Sequence, residues 1–383
     1  MQPIERRRLI QRTRTSLLCR VVPRALGWMV GLAGAAMIAA CNGVLSQTIE
    51  AYPPMPAGPP VPVSAAAQAR VQALGRGINF GNMLEAPREG AWGLRVEDKF
   101  IDLVGEPGFV QSVRLPVRWS AHASADAAAT IDPVFFARVE DVVQRLSAKG
   151  VTVVLNMHHY RQLDGDAMDE GETIVAPAVL ELRFLAMWRQ IARRFAHAPP
   201  SLVFELYNEP HGRLDKRWND LLSRALHVVR ESNPDRVVVV GPVTWNSPTA
   251  LPRLVLPPDP NLVLTVHLYE PFTFTHQGAE WFKPALPVGV DCCDAAQRRT
   301  MDELLDQTVR EAARLGRPAF VGEFGAYGKA PPSARIAYVR AMCEGMAQRG
   351  LPWMYWELAA GFGVYDPAAG RFRDDLKQAL YGP

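Results

Sequence analysis

The signatures of several enzyme classes are missing from this sequence of 383 residues. It has no GxSxG motif of a serine esterase, and its glycines at 75, 77 and 81 are wrongly spaced for the GxGxxG of a dinucleotide-binding fold. The five cysteines form no CxxC pair, so zinc or redox motifs of that type are excluded. We also find no internal repeat, which argues against a solenoid or a propeller.

The chain beyond the amino terminus has no excess of positive over negative charge. The net charge is +3, but arginine is concentrated before residue 25, and the remainder of the chain is acidic. Binding of nucleic acid requires a basic face on a folded domain. We therefore expect no nucleic-acid partner.

The amino-terminal segment has the pattern of an export signal. Its arginines precede an uncharged run over residues 25–40, which is short for a membrane span. Ile38, Ala39 and Ala40 stand before Cys41, as in a bacterial lipobox. We predict a signal peptide over 1–40 and a lipid on Cys41; an ordinary secretory leader or an uncleaved anchor is the alternative. In each case the protein is exported, to the periplasm or the cell exterior, by a route that stays open.

Proline marks the next segment, with residues at positions 53, 54, 56, 59, 60 and 62. Such a composition predicts an extended spacer, which we place over 41–69. Residues 70–383 then form one catalytic domain, and the 48% hydrophobic content suffices for one large core.

The alternation of apolar and helical segments in residues 70–383 indicates the fold. Eight short apolar segments recur, at 77–80, 112–115, 152–156, 202–206, 236–240, 262–266, 319–321 and 353–355. Segments with helical periodicity lie between most of them, at 133–149, 179–196, 218–232, 298–315 and 334–349. This alternation predicts a parallel (β/α)8 TIM barrel, with an open doubly wound sheet as the alternative.

Polar residues stand where the predicted strands end, which is where a barrel of this type places its site. Two of them are glutamates from non-adjacent strands, Glu209 in LYNEPHG and Glu323 in PAFVGEFGAYG. Cleavage of a glycosidic bond needs such a pair of carboxylates. Taken singly, each could be an ordinary ion-pair partner, but together with their polar neighbours they indicate catalysis.

Longer segments carry a family resemblance. NEP at 208–210, GEFG at 322–325, RLPVRW, HHY and INFGNMLEAPREGAWG resemble glycoside hydrolase family 5, over roughly residues 70–383. YEPFTFTHQGAEW and YWELAAGFGVYD resemble the bacterial endoglucanases of that family, some of which also cleave β-mannan.

The resemblance implies a role for each matching residue. Glu209 matches the acid/base and Glu323 the nucleophile of a retaining mechanism. The matching substrate-binding and supporting residues are Asn208, Arg114, His158, His159, His267, Tyr269 and Trp356, together with the substrate-cleft positions Asn82, Glu85, His276 and Trp281. Glu205 and Glu357 also lie near strand ends, but the resemblance disfavours both as catalytic groups.

Several alternatives stay open at this point. Either Arg114 or Arg118 could pair with an acid across the barrel, and strand alternation sends His158 and His159 in different directions. Trp356 could instead be a core aromatic residue. Three cysteines of the domain permit one disulfide; Cys292 and Cys293 are adjacent, and adjacent cysteines rarely bridge, while a pairing with Cys343 is undecided.

We expect a retaining endo-acting hydrolase of β-1,4-glucan, mixed-linkage glucan, glucomannan or mannan, which works as a monomer without a cofactor or metal. One alternative is a carbohydrate-binding lipoprotein without catalysis. Another is a metal-dependent barrel hydrolase that uses His158, His159, His211 and His267. The sequence lacks the HxH of the first strand that barrel amidohydrolases use, which disfavours the metal alternative.

Overall fold

Eight parallel strands form the centre of the molecule. The computed structural model describes residues 48–170 and 172–382. Its strands pair in sequence order and close into a barrel, since β1 pairs with both β2 and β8. The strands are β1 Arg76–Asn79, β2 Ser112–Leu115, β3 Thr152–Asn156, β4 Leu202–Glu205, β5 Val238–Val240, β6 Leu262–His267, β7 Ala319–Glu323 and β8 Trp353–Tyr355. The predicted (β/α)8 barrel is confirmed.

Helices surround the barrel and return the chain from one strand to the next. They are α1 Ala65–Leu74, α2 Asp98–Val104, α3 Pro133–Ala148, α4 Arg161–Asp164, α5 Leu180–Arg194, α6 Trp218–Arg230, α7 Phe272–Thr275, α8 Ala295–Leu315, α9 Pro332–Gln348 and α10 Asp374–Tyr381. Local signals set several of the helix ends. The Asp132 carboxylate accepts hydrogen bonds from the first turn of α3, and Asp294 forms a capping box with Gln297 at α8.

Short elements complete the described fold. A two-stranded ribbon joins β9 Tyr365–Asp366 to β10 Arg371–Phe372. Short 3₁₀ helices lie at Ile49–Ala51, Trp119–His122, Pro177–Val179, Gly212–Lys216 and Pro248–Arg253. None of the helices within the described residues is both long enough and apolar enough to cross a bilayer.

Helix α1 closes the amino-terminal end of the barrel. Its buried Ala67, Val71 and Leu74 pack against inward-facing side chains of the strands, which include Val154 and Phe320. This apolar layer fills the barrel below the polar end. The first residues of α1 were predicted to belong to the spacer of 41–69, because small residues continue there from the proline-rich stretch.

The proline-rich segment lies against the barrel from Thr48 onward, which differs from the free spacer predicted over 41–69. The backbone N–H of Ser64 donates to the Pro260 carbonyl at 2.9 Å, and the Arg317 guanidinium donates to the Val61 carbonyl at 3.0 Å. Tyr52 is buried, with the Arg189 guanidinium 4.4 Å above its ring centre. Arginines of the barrel satisfy carbonyls of this segment, and that long-range pairing has no signature in composition. Residues 1–47, which include the predicted leader and Cys41, lie outside the described residues.

We predict that the segment contributes to the stability of the barrel. Tyr52→Ala removes a buried ring and should lower the free energy of unfolding by about 2–4 kcal/mol. Val134→Ala removes an exposed side chain and is the control, with an expected change below about 0.5 kcal/mol. Urea denaturation measures both variants. Equal stability of the two variants would mean that the segment is a detachable spacer.

Candidate active site

A buried arginine connects the polar groups at the carboxyl end of the barrel. Arg114 of β2 donates from Nη1 to Glu323 Oε1 at 2.5 Å and from Nη2 to Asn208 Oδ1 at 2.7 Å. It also binds both oxygens of Glu205, at 2.6 and 2.7 Å, and Asn79 Oδ1 at 3.0 Å. A planar guanidinium with five N–H donors can satisfy this many acceptors, whereas an ammonium cannot.

The structure distinguishes the two arginines that the sequence left open. Arg118 donates from Nε to the Glu85 carbonyl at 2.7 Å and forms ion pairs with Asp169 and Glu172. Its guanidinium carbon lies 5.3 Å from the ring centre of Trp92. Arg118 therefore orders the loops beside the site, and Arg114 is the arginine that contacts Glu323.

Glu323 ends β7 and has a donor on each side-chain oxygen. Oε1 accepts from Arg114, and Oε2 accepts from the Tyr269 hydroxyl at 2.9 Å. Burial raises the pKa of Glu323, while Arg114 and the Tyr269 hydrogen bond oppose that rise. The net direction is upward because the carboxylate is desolvated.

Glu209 follows β4 on a left-handed backbone with a φ of 50°. Its side chain is 23% exposed, against 6% for Glu323, so the cleft can reach it. Burial raises the pKa of Glu209 to about 7, with Arg114 and His211 opposing. A carboxyl group with such a pKa can hold a proton near neutral pH, as a general acid must.

His267 contacts the Glu209 side chain, with its Nδ1 2.7 Å from Glu209 Oε1. Asn246 Nδ2 donates to Nε2 of the same ring at 3.3 Å, which assigns the ring proton to Nδ1. Burial lowers the pKa of His267 to about 4. The ring is therefore a neutral donor to the carboxylate rather than a second cation.

The spacing of the two glutamates is the main result of this geometry. Ligand atoms of Glu209, His267 and Glu323 all lie within 4.8 Å of one another. Retaining glycosidases hold their carboxyl groups about 5–5.5 Å apart, and inverting enzymes hold them about 6.5–9.5 Å apart. An oxygen of Glu209 and an oxygen of Glu323 within 4.8 Å of each other are closer than the inverting arrangement requires, which favours the retaining range.

Glu209, His267 and Glu323 are also residue types that can bind a metal ion. The Arg114 guanidinium already lies 2.5 Å from Glu323, and its positive charge would repel a cation there. No other group of His, Cys, Asp and Glu in the described part of the chain is arranged to bind one. The four histidines of the metal hypothesis are thus not brought together as a ligand set.

His158, His159 and Trp356 lie together at the rim. The His158 ring stacks on the Trp356 indole at 5.6 Å and 9°, and its Nδ1 lies 3.1 Å from Asn156 Nδ2. The His159 ring faces Trp92 at 5.8 Å. Both histidines therefore lie at the polar end of the barrel, although their rings point to different neighbours, as strand alternation requires.

Asn82 and Glu85 form a tight turn after β1. The Glu85 oxygens accept the backbone N–H groups of Asn82 and Met83, and the Asn82 amide donates to Glu357 Oε2 at 3.3 Å. Burial raises the pKa of Glu85 to about 7 and that of Glu357 to about 8. Glu85 was predicted as a substrate-cleft position; in the structure its carboxylate is buried, and its contacts hold the loop that presents Asn82.

His276 and Trp281 belong to an aromatic wall after β6. His276 stacks on Phe272 at 4.2 Å and meets the edge of Tyr269 at 4.9 Å. Trp281 is 55% exposed and packs against Tyr327 at 5.0 Å. Its free face is large and apolar, as a sugar-binding platform requires.

Sequence reasoning missed three contributors to this site. Glu205 was disfavoured as a catalytic group, but its position at the end of β4 could have indicated a partner for Arg114. Trp245 was not among the predicted site residues, yet it is 54% exposed and stacks on His211 at 4.6 Å. His211 was considered only as a metal ligand.

The cysteines of the domain form an unexpected pair. Cys292 and Cys293 are joined by a disulfide in the loop after β6, although adjacent cysteines were expected to bridge rarely. Cys343 is free. It lies near the carboxyl end of α9, at the opposite end of the barrel from the 292–293 loop, so it cannot reach that pair.

A closed (β/α)8 barrel that brings two carboxylates this close together at the ends of β4 and β7 defines a glycoside hydrolase. The family model of cellulases, glycosyl hydrolase family 5, matches residues 71–361. The chain therefore belongs to glycosyl hydrolase family 5, which confirms the resemblance read from the sequence.

Individual relatives agree with the family. Endoglucanase H of Acetivibrio thermocellus is 30% identical over 321 residues, which make up 82% of this chain and 33% of that protein. Cellulase/esterase CelE of the same organism is 29% identical over an alignment 319 residues long, which covers 76% of this chain and 36% of that protein. The chain thus spans about a third of the length of these curated relatives.

Solved structures are similar over most of the chain. Cel5A of Thermotoga maritima in complex with cellobiose has a TM-score of 0.77 and 39% identity, and covers 82% of this chain and 99% of its own. The same enzyme in complex with mannotriose has a TM-score of 0.76 and 38% identity, with the same coverage of both chains.

We predict that the buried ion pair of Arg114 is essential for stability. Glu205→Gln keeps the shape of the side chain but turns one of the two oxygens that accept from Arg114 into a donor, and should lower the free energy of unfolding by about 1.5–3 kcal/mol. The control is Glu181→Gln, because Arg217 binds both oxygens of Glu181 at the surface, at 3.1 and 2.9 Å. That variant should lose less than about 1 kcal/mol. Similar losses in urea denaturation would contradict a special role for the buried pair.

Proposed function

We propose that the protein is a retaining endo-acting glycoside hydrolase of β-1,4-linked glucans, with Glu209 as acid/base and Glu323 as nucleophile. The observation that carries this proposal is the different environment of two carboxylates within 4.8 Å. Glu323 has donors on both oxygens, and Glu209 is desolvated and reachable from the cleft. Pairs of titratable groups in contrasting environments divide acid and nucleophile roles in this manner.

In the first step Glu323 attacks the anomeric carbon while Glu209 protonates the leaving oxygen. The hydrogen bonds from Arg114 and Tyr269 fix the attacking carboxylate. The side-chain oxygen Oδ1 of Asn208 accepts from Arg114. The side-chain NH₂ group of Asn208 is therefore directed to an acceptor such as the sugar 2-hydroxyl. This contact strengthens as positive charge develops on the sugar ring.

In the second step Glu209 acts as a base toward water, and the glycosyl–Glu323 bond breaks with net retention of configuration. The neutral His267 ring donates to Glu209 and can stabilise the carboxylate that forms after proton transfer. Glu323 returns to its ion pair with Arg114. The cycle needs two carboxylates and one water.

Exposed aromatic rings support binding of a chain rather than of a single sugar. Trp92, which contacts His159, is 38% exposed, and Trp245, which stacks on His211, is 54% exposed. Exposed rings on the loops after β1 and after β5 support binding of several sugar units, which favours endo cleavage within a polysaccharide. The complexes of the Thermotoga enzyme with cellobiose and mannotriose support glucan and also glucomannan or mannan as substrates. A purely carbohydrate-binding protein is the second candidate.

We predict that both glutamates are required for hydrolysis. Release of reducing sugar from barley β-glucan, carboxymethylcellulose, glucomannan and mannan should fall about 10²-fold or more in Glu209→Gln and about 10⁴-fold in Glu323→Gln. Glu140→Gln, at a surface ion pair with Arg194, is the control. With a dinitrophenyl cellobioside, whose leaving group needs no proton, Glu209→Gln should still release dinitrophenol in a burst, whereas Glu323→Gln should not. Wild-type binding without hydrolysis of any glycan would favour the second candidate.

The pH dependence of kcat/KM should reflect the different environments of Glu209 and Glu323. Burial raises the pKa of Glu209 to about 7, and the acid must carry its proton, so kcat/KM should fall as the pH rises through about 7. Burial also raises the pKa of Glu323, which must be ionised, so the acidic limb should lie above the ordinary glutamate value of about 4.3. A flat profile between pH 6 and 9, measured as initial rates, would contradict these roles.

We further propose that the protein is exported as a monomer with a lipid on Cys41. Six residues separate Cys41 from Thr48, where the chain reaches the barrel, so the reach from the anchor is about 25 Å at full extension. Metabolic labelling with a radioactive fatty acid should mark the wild type and leave Cys41→Ser unlabelled. Equal labelling of both would exclude Cys41 as the site.

Sedimentation of the Cys41→Ser protein measures the oligomeric state.

A further inference from the structure

The His211 imidazole lies directly behind the turn that carries Glu209. Its Nδ1 is 2.6 Å from the Glu209 backbone carbonyl oxygen. A carbonyl oxygen can only accept a hydrogen bond, so Nδ1 must carry a proton. His211 begins the 3₁₀ turn after β4, and its side chain is only 12% exposed.

The other ring nitrogen also faces an acceptor. Nε2 lies 3.2 Å from Asp166 Oδ2, and Arg161 binds the same oxygen at 3.3 Å. A carboxylate that accepts from an arginine is ionised, so Nε2 also carries a proton. With protons on both nitrogens, His211 is an imidazolium cation.

The surroundings of the ring support this protonation state. Asp164 Oδ1 is 3.8 Å from Nδ1, while its other oxygen accepts from the Tyr207 hydroxyl at 2.5 Å. Burial alone would lower the pKa of His211, but Asp164, the Glu209 carbonyl and Asp166 outweigh it, and the net pKa is raised. Burial raises the pKa of Asp164 to about 7, and His211 opposes that rise.

Packing fixes the ring in this position. The Trp245 indole stacks on it at 4.6 Å and 21°, as an aromatic face does with a cation. On the next residue, a Cβ at Gly212 would lie 2.5 Å from the Asp164 carbonyl oxygen, and the φ there is +58°. Only glycine lets the chain pass this close to α4, so the ring has little freedom to move.

Glu209 itself has a backbone that non-glycine residues rarely adopt, with a φ of 50°. A protonated donor on its carbonyl oxygen opposes relaxation of that turn. We propose that His211, held as an imidazolium by Asp166 and Asp164, is a positioning residue that fixes the Glu209 turn and places a positive charge behind that turn. The role in catalysis rests on the proposed function of Glu209, but the coupling between the two residues does not.

The first test measures protonation without any turnover. The charged groups that face the pair are Asp164, Asp166, Arg161, Arg114, Glu205 and Glu323. All of them stay intact in His211→Gln, which keeps a neutral N–H donor. We expect the pKa of the Glu209 carboxyl group, followed by carbon-13 NMR and assigned with Glu209→Gln, to rise by roughly 0.5–1 unit in His211→Gln. The matched control is His227→Gln, a histidine on α6 whose Nδ1 lies 3.1 Å from the Pro54 carbonyl oxygen, far from the site.

A second variant keeps the histidine. In Asp166→Asn the acceptor at Nε2 loses its charge, so the pKa of His211, followed by nitrogen-15 NMR, should fall relative to the wild type. A neutral His211 ring in the wild type near pH 6, or a Glu209 pKa that is unchanged in His211→Gln, would overturn the proposal.

Kinetics then separate positioning from simple structural support. In His211→Gln the alkaline limb of kcat/KM should move to higher pH by the same shift, and hydrolysis of β-glucan should fall more than release of dinitrophenol from an aryl cellobioside. A uniform loss on both substrates without a pH shift would make His211 a structural residue and overturn the proposal. Inactivity of the wild type on every glycan would contradict the proposed function, and the NMR titration would still decide the coupling.

Discussion

The buried guanidinium of Arg114 is the constraint on which the site depends. It carries one positive charge, yet it contacts two carboxylates, Glu205 and Glu323, and two amide oxygens. Burying charges is costly unless each is paired and fully hydrogen-bonded. The four acceptors come from β1, from β4 and the residues after it, and from β7, so closing the barrel and assembling the site are the same event. Arg114 cannot be satisfied in an open sheet that separates these strands.

This arrangement leaves Glu209 as the carboxyl group without a direct contact to the guanidinium. Glu323 has Arg114 and the Tyr269 hydroxyl, while Glu209 has only the neutral His267 ring on its side chain. Desolvation raises the pKa of both carboxyl groups, but the groups that oppose this rise differ between them. One barrel can therefore hold an ionised Glu323 next to a protonated Glu209, because their hydrogen-bond partners differ and Glu209 is the more exposed of the two.

The sequence predicted the parts of the molecule that have a periodic or local signal. Eight apolar segments alternating with helices gave the barrel, and strand-end glutamates gave Glu209 and Glu323. It could not choose between Arg114 and Arg118, since four residues of spacing reveal nothing about which acids lie across the barrel. The packing of α1 and of the segment after Thr48, and the pairing of Cys292 with Cys293, also depend on tertiary contacts that leave no pattern in the sequence.

The apolar packing and the strained backbone conformations lie at opposite ends of the barrel. The amino-terminal end is filled by apolar side chains of α1 and the strands. Five of the six non-glycine residues with positive φ in the described chain follow β1, β4 or β5 at the polar end, namely Asn82, Glu209, Thr244, Trp245 and Asn246. Such conformations persist only where the surrounding structure holds them, and they collect at functional sites. The Glu209 turn is held by His211, and Asn246 by its bond to His267, so the strained positions are also the ones that place the proposed acid/base and its donor.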